Sequence, residues 1–124
     1  MATLLNKGLE LQAKLTNGVS TDPFTDMALG SGTTAEAVDQ TALVTELTLN
    51  GLARAAATCS YEDNYKAKWV GEFTATADSQ VVNEMGIFNT GNDIFMRHKY
   101  ASTKNLDDGE TLTITVILTE SRTT

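Results

Sequence analysis

The groups in this sequence that could do chemistry are few. There is one thiol, Cys59, and one imidazole, His98. A cysteine and a histidine together could make a nucleophile with its base, and a histidine with further ligands could hold zinc. Both residues fall on the apolar side of alternating segments, so Cys59 reads as a small core filler among alanines and His98 as an interior or subunit-contact residue. Gly30-Ser31-Gly32-Thr33-Thr34 has the glycines of a phosphate-cradling loop but lacks the lysine and the helix that should follow them. Asp107, Asp108 and Glu110 offer the oxygen ligands that calcium favours, without the spaced acidic pattern of a calcium loop, and a hairpin turn is the simpler reading. Trp69, Phe73 and Tyr61 could stack on a sugar or line a peptide groove, but their alternate positions place them in a core. No catalytic, cofactor-binding or metal-binding residue is therefore expected, and the chain reads as a binding or structural protein rather than an enzyme.

Composition narrows the classes further. A chain of 124 residues fits a single domain over residues 1–124 and can bury a core without disulfides or metal. One cysteine cannot close an intrachain bridge. Nine basic against sixteen acidic residues give a net charge of −7, which opposes binding to a phosphate backbone. No membrane span is expected, because no run of about 18 apolar residues occurs, and the N-terminus lacks the basic start and apolar run of a signal peptide. Threonine is abundant and proline occurs once, which favours pleated, half-buried surface over helix.

The elements that must position these residues are mostly strands. From 110 to 120, Leu112, Ile114, Val116 and Leu118 alternate with Thr111, Thr113, Thr115 and Thr119, the period of a strand with one buried face. Asp107-Asp108-Gly109 supplies the turn before it. Residues 93–100 and 66–76 alternate likewise. Residues 81–88 are apolar on both faces, as in a central strand covered on both sides. Glu84 lies within that strand and needs a partner, Arg54 or Arg97. Asn50-Gly51 reads as a tight turn, followed over 53–61 by a strand whose inner face is thin because it is mostly alanine. Residues 27–29 make a short strand, 33–40 an extended surface loop, and 41–49 a return segment with Leu43, Leu47 and Leu49 facing inward. Residues 3–15 read as one amphipathic helix, with Leu4, Leu11 and Leu15 on one face, Thr3 as its cap and Asn17-Gly18 as its end. That helix either covers the protein's own core or packs on a neighbouring subunit. The whole is an all-β chain: a jelly-roll-like antiparallel β-sandwich of about seven strands over 19–124, with one N-terminal helix over 1–18.

Two blocks carry a resemblance to small virion structural proteins of tailed bacteriophages and prophages. Residues 24–34, with Ala28-Leu29-Gly30-Ser31-Gly32-Thr33-Thr34, continue through a small-residue spacer into Thr41-Ala42-Leu43 and are similar to an "ALGTGTT" segment followed by "TAL". Glu84-Met85-Gly86-Ile87-Phe88-Asn89, then Met96-Arg97-His98, then Asp108-Gly109-Glu110 and Leu112-Thr113-Ile114-Thr115, resemble the "tEaGlFn…mlfRh…gDsLtit" pattern of the same group. Met85 stands where that pattern favours an alanine-like residue, and an Asp-Asp-Gly turn where a single Asp is common. The resemblance implies a protein of the phage particle without enzymatic function or cofactor. The expectation drawn from it is a capsid decoration, or cement, protein on the outer surface of the head, assembled in the host cytoplasm on the major capsid protein lattice. A homo-oligomer, favoured as a trimer, would use Leu4, Leu11, Leu15, Ala55 and Ala57 as contacts. Glu84, Arg54, Arg97 and Trp69 are expected to be structural. The alternative is a tail-fibre or baseplate module recognising host surface glycan, with Trp69 or Tyr100 stacking on sugar.

Overall fold

Alternation of apolar and threonine side chains over 111–119 does what it should: Ile114 is buried, Leu112, Val116 and Leu118 are half-buried, and every threonine between them is exposed. In the computed structural model, which describes residues 2–122, the strands are β1 (Thr3–Leu4), β2 (Phe24–Gly30), β3 (Ala55–Ala56), β4 (Thr58–Glu62), β5 (Lys66–Thr74), β6 (Gln80–Asn89), β7 (Ile94–Leu106) and β8 (Thr111–Thr119), with one helix, α1 (Asn6–Thr16). They form two antiparallel sheets. One has five strands in the order β1-β7-β6-β2-β3 and the other three in the order β4-β5-β8. The fold is all-β with a short N-terminal helix.

The two sheets bury a common layer. Met27, Leu29, Val82, Met85, Ile87, Phe95 and Met96 of the larger sheet meet Trp69, Phe73 and Ile114 of the smaller one. The Trp69 indole donates to the Phe24 carbonyl at 2.7 Å, so its one polar group is satisfied inside the core. β6 is buried without interruption from Val82 to Asn89. Its inner face contributes to the layer between the sheets. Its outer face is covered by the long connection between β2 and β3, where Leu43 joins Leu5, Ala28, Phe88 and Ile94 in a second, smaller core.

Three local expectations change. The helix starts at Asn6, not at Thr3, and its N-cap, Leu5, makes no side-chain capping bond. Thr3 instead pairs with Arg97 in β1, and the first helical N–H, that of Asn6, is taken by the Val38 carbonyl at 2.8 Å. A partner from a distant loop thus replaces the local cap. The helix lies close on β7, because a Cβ on Gly8 would stand 2.3 Å from the Phe95 carbonyl oxygen. The alanine-rich segment 53–61 is two strands rather than one: β3 pairs with β2, Ala57 donates to the Thr25 carbonyl, and β4 then pairs with β5 in the other sheet. The chain crosses between layers there onto the edge of the smaller sheet: Cys59 and Tyr61 lie opposite Trp69 and Ala67 and so share the inward face, as expected, but at that edge they are exposed and not buried. Finally, 41–49 is no strand beyond one bridge from Glu46 to Gly30. Leu43 is buried and Leu47 half-buried, but Leu49 is 72 % exposed.

Candidate functional site

A carboxylate in the middle of a central strand must be matched on every lone pair or it destabilises the fold. Glu84 on β6 and Arg97 on β7 are both fully buried, and the Arg97 Nε donates to Glu84 Oε1 at 2.9 Å. The same oxygen accepts the Val44 N–H at 2.9 Å, while Oε2 accepts those of Gly32 and Thr45, each at 2.8 Å. The two terminal nitrogens of Arg97 donate to the Thr34 carbonyl at 2.8 Å and the Gln40 amide oxygen at 3.2 Å. One ion pair therefore holds the connection between β2 and β3 at Gly32, Thr34, Gln40, Val44 and Thr45. Gly30 and Gly32 make room for it, since a Cβ on either would come within 2.5 Å of Glu84 Oε2. Burial alone would push the Glu84 carboxyl up, but the N–H groups of Thr45 and Val44, the Arg97 guanidinium and the N–H of Gly32 outweigh it and hold it below its ordinary value. With its acceptor positions filled, this carboxylate organises a loop and has no capacity left for proton transfer.

Of the two arginines weighed as partners for Glu84, Arg97 is the one that pairs. Arg54 forms a forked contact with Glu46 at 2.7 and 3.1 Å and lies 3.7 Å over the Phe88 ring, clamping the far end of the same connection onto the sheet. Glu46 and Glu36 escaped sequence reasoning. Residues 33–40 have no period, and nothing marked Glu36 and Glu46 apart from Asp39, the other charge between residues 33 and 46. Glu36 accepts from the Lys99 N–H at 2.7 Å and from the Thr3 hydroxyl, and stands 3.4 Å from His98 Nδ1. Burial pushes the Glu36 carboxyl up, but the Thr3 hydroxyl, the Lys99 N–H and the nearby His98 together bring it below its ordinary value.

His98 and Tyr100 point to the inner side of the larger sheet and meet edge to face, ring centres 4.9 Å apart. Burial pushes the Tyr100 phenol up to about 12. With Ala2 and Met85 they form one wall of a cleft of about 360 Å³ whose other wall is residues 114–117 of β8. Cys59 lies on β4, at the opposite edge of the smaller sheet, with β5 in between. Two strand spacings, about 10 Å, separate those edges, so Cys59 and His98 do not meet. Burial, followed by the charge of Asp26, pushes the Cys59 thiol up, which leaves it a poor nucleophile. Among the described residues no group of three or more His, Cys, Asp or Glu is gathered that could hold a metal, and no helix is long and apolar enough to cross a membrane.

The expected contact residues divide. Leu11 is buried in the protein's own core, and Leu4 and Leu15 are packed against it, so the helix face is internal cover and not a free docking stripe. Trp69 is likewise core and cannot stack on a ligand. Ala55 is exposed and Ala57 half-buried, on the flank where the chain crosses between sheets. The large apolar side chains left on the surface include Val38, Val44 and Leu49 on the pinned connection, Tyr61 and Tyr65 around the β4–β5 turn, and Ile117 on β8. No protein family, curated protein or solved structure matches this chain.

Proposed function

We propose that this chain is a non-enzymatic virion structural protein, a capsid decoration protein that binds the outer surface of a tailed-phage head. The observation that carries the reading is a convergence in space. The two blocks resembling tailed-phage virion proteins are far apart in sequence, yet Gly30 and Gly32 of the first meet Glu84 and Arg97 of the second at one buried ion pair. The resemblance thus describes one physical unit, a connection held rigidly on a sheet, and not a set of unrelated turns and strands.

Such a unit suits docking onto a lattice. Val38, Val44 and Leu49 are 53 %, 46 % and 72 % exposed on a segment whose backbone is held from beneath by Glu84 and Arg97 and whose Glu46 side chain is held by Arg54. Apolar tips that are already ordered lose little further entropy when they bind. The major capsid protein lattice is the partner on this reading, with the Ala55 and Ala57 flank as the self-contact of a trimer. Imaging of intact particles tests it. Many copies at regular positions on the head are expected, and filled heads lacking the protein should lose their DNA at lower temperature or milder osmotic shock. A handful of copies at the tail would replace this reading with a receptor-binding module, for which the half-buried Tyr100 and the exposed Tyr61 are the candidate aromatics.

A further inference from the structure

Sheet edges left unpaired are normally blunted by shortness, charge, proline or a bulge. Four stretches of edge here are. β1 and β3 are two residues each, and β4 is five residues ending in Glu62. β7 beyond its pairing with β1 carries Lys99 and Lys104. β8 has none of these devices. It is nine residues long, reads Thr-Leu-Thr-Ile-Thr-Val-Ile-Leu-Thr without a charge, and keeps regular register with β5 at all nine positions. Among the described residues its other side pairs with no strand.

We infer that β8 is a twofold self-association edge of the free chain, separate from the Ala55 and Ala57 flank of the proposed trimer, pairing antiparallel with β8 of a second copy about an axis at Thr115. The strand is close to a palindrome around that residue. Leu112 would face Leu118 of the other copy, Ile114 would face Val116, Thr113 would face Ile117, and Thr111 would face Thr119. In an antiparallel pair directly opposed residues share a face. The inward set therefore stays inward, and only an axis on Thr115 uses all nine positions. Leu112, Val116 and Leu118 are half-buried at the margin of the core, and Ile117 is 48 % exposed. A second copy would complete their burial and join two three-stranded sheets into one of six. Charge bears on the same occupant: each copy carries −7, and the nine positions of this strand are neutral, while the register sets Glu110 against Glu120 of the other copy at each end, which keeps the contact weak. Strand length, about 30 Å, and one inter-sheet depth, about 10 Å, make a contact smaller than the ~800 Å² per partner of a standard interface. The dimer is accordingly weak when free and reinforced where copies are held close together. The inference does not depend on the phage reading.

Sedimentation of the isolated full chain tests it, with no particle involved. A monomer–dimer equilibrium in the micromolar range is expected. Thr115→Lys, an exposed change that leaves the circular dichroism and melting temperature near wild type, opposes two like charges at the axis and should weaken the dimer about tenfold or more. Thr115→Glu should do the same, and an equimolar mixture of the two variants should restore association, because only a twofold contact sets position 115 against itself. A wild-type chain that stays monomeric throughout overturns the inference. So does a dimer or trimer unmoved by either charge, or a mixture that fails to associate.

Discussion

At the scale of single residues the fold depends most on Glu84. Its four contacts differ in kind: one is to a counter-charge and three are to backbone N–H groups that have no other acceptor near them. Glu84→Gln keeps the shape but turns an amide nitrogen toward donors, and it leaves Arg97 buried without its counter-charge. The expected loss is about 3–5 kcal/mol, a fall in melting temperature of roughly 10 °C or more, checked by urea and thermal unfolding. Replacing a buried ion pair by apolar side chains is often harmless. Here it is not, because Glu84→Leu with Arg97→Met would still orphan the N–H groups of Gly32, Val44 and Thr45, so the double variant should remain well below wild type. Glu84 also sets the acid response. A carboxyl held below its ordinary value of 4.5 in the folded state contributes stability that is present above that value. The contribution is lost as pH falls through the folded value. Glu36 is shifted in the same direction and adds to the same window. Stability measured by urea unfolding should therefore be flat from neutral pH down to about 5 and drop below it, and the drop should be smaller in Glu84→Gln.

The elements show what can be read without coordinates. β5, β6, β8 and the first part of β7, to Tyr100, were legible because period-2 alternation, or apolar residues on both faces, survives any context that buries a strand, whereas residues 101–105 of β7 are exposed and carry no such pattern. The crossing at Ala57 was not, because alternation carries no information when both sets of side chains are alanine or similarly small. In the connection from Ser31 to Arg54 the Asn50-Gly51 turn and the inward Leu43 were legible, but its path was not: that comes from Glu84, Arg97 and Val38-to-Asn6 contacts with other elements, and nothing periodic within it records them. The need of Glu84 for a partner could be read from a charge in an apolar strand, but the choice of Arg97 over Arg54 depends on which strand pairs with β6. The helix supplies a prediction whose sign separates local from tertiary forces. Helix propensity alone would make Gly8→Ala stabilising by up to about 1 kcal/mol. The methyl would stand 2.3 Å from the Phe95 carbonyl oxygen, a backbone atom that cannot rotate away. Tertiary contact wins, and the variant should be destabilised by about 1–3 kcal/mol, read from its denaturant midpoint.

At the scale of the whole molecule, charge and surface act in opposite directions. A net charge of −7 on 124 residues makes separate copies repel at low ionic strength. The surface that would bring them together, the β8 edge, holds no charge of either sign. A contact of this kind is limited by long-range repulsion and not assisted by local ion pairs. Screening should therefore favour it: at about 0.15 M salt the Debye length is about 8 Å, so the long-range repulsion fades while backbone hydrogen bonds and apolar burial remain. Self-association measured by sedimentation should strengthen as salt rises from a few millimolar to that level. Association through the oppositely charged pairs found elsewhere on the surface, such as Lys68 with Glu62, would weaken over the same range. The slope of the dimer constant against salt thus identifies the type of surface in use, and a negative slope would exclude the neutral edge as the site where copies meet.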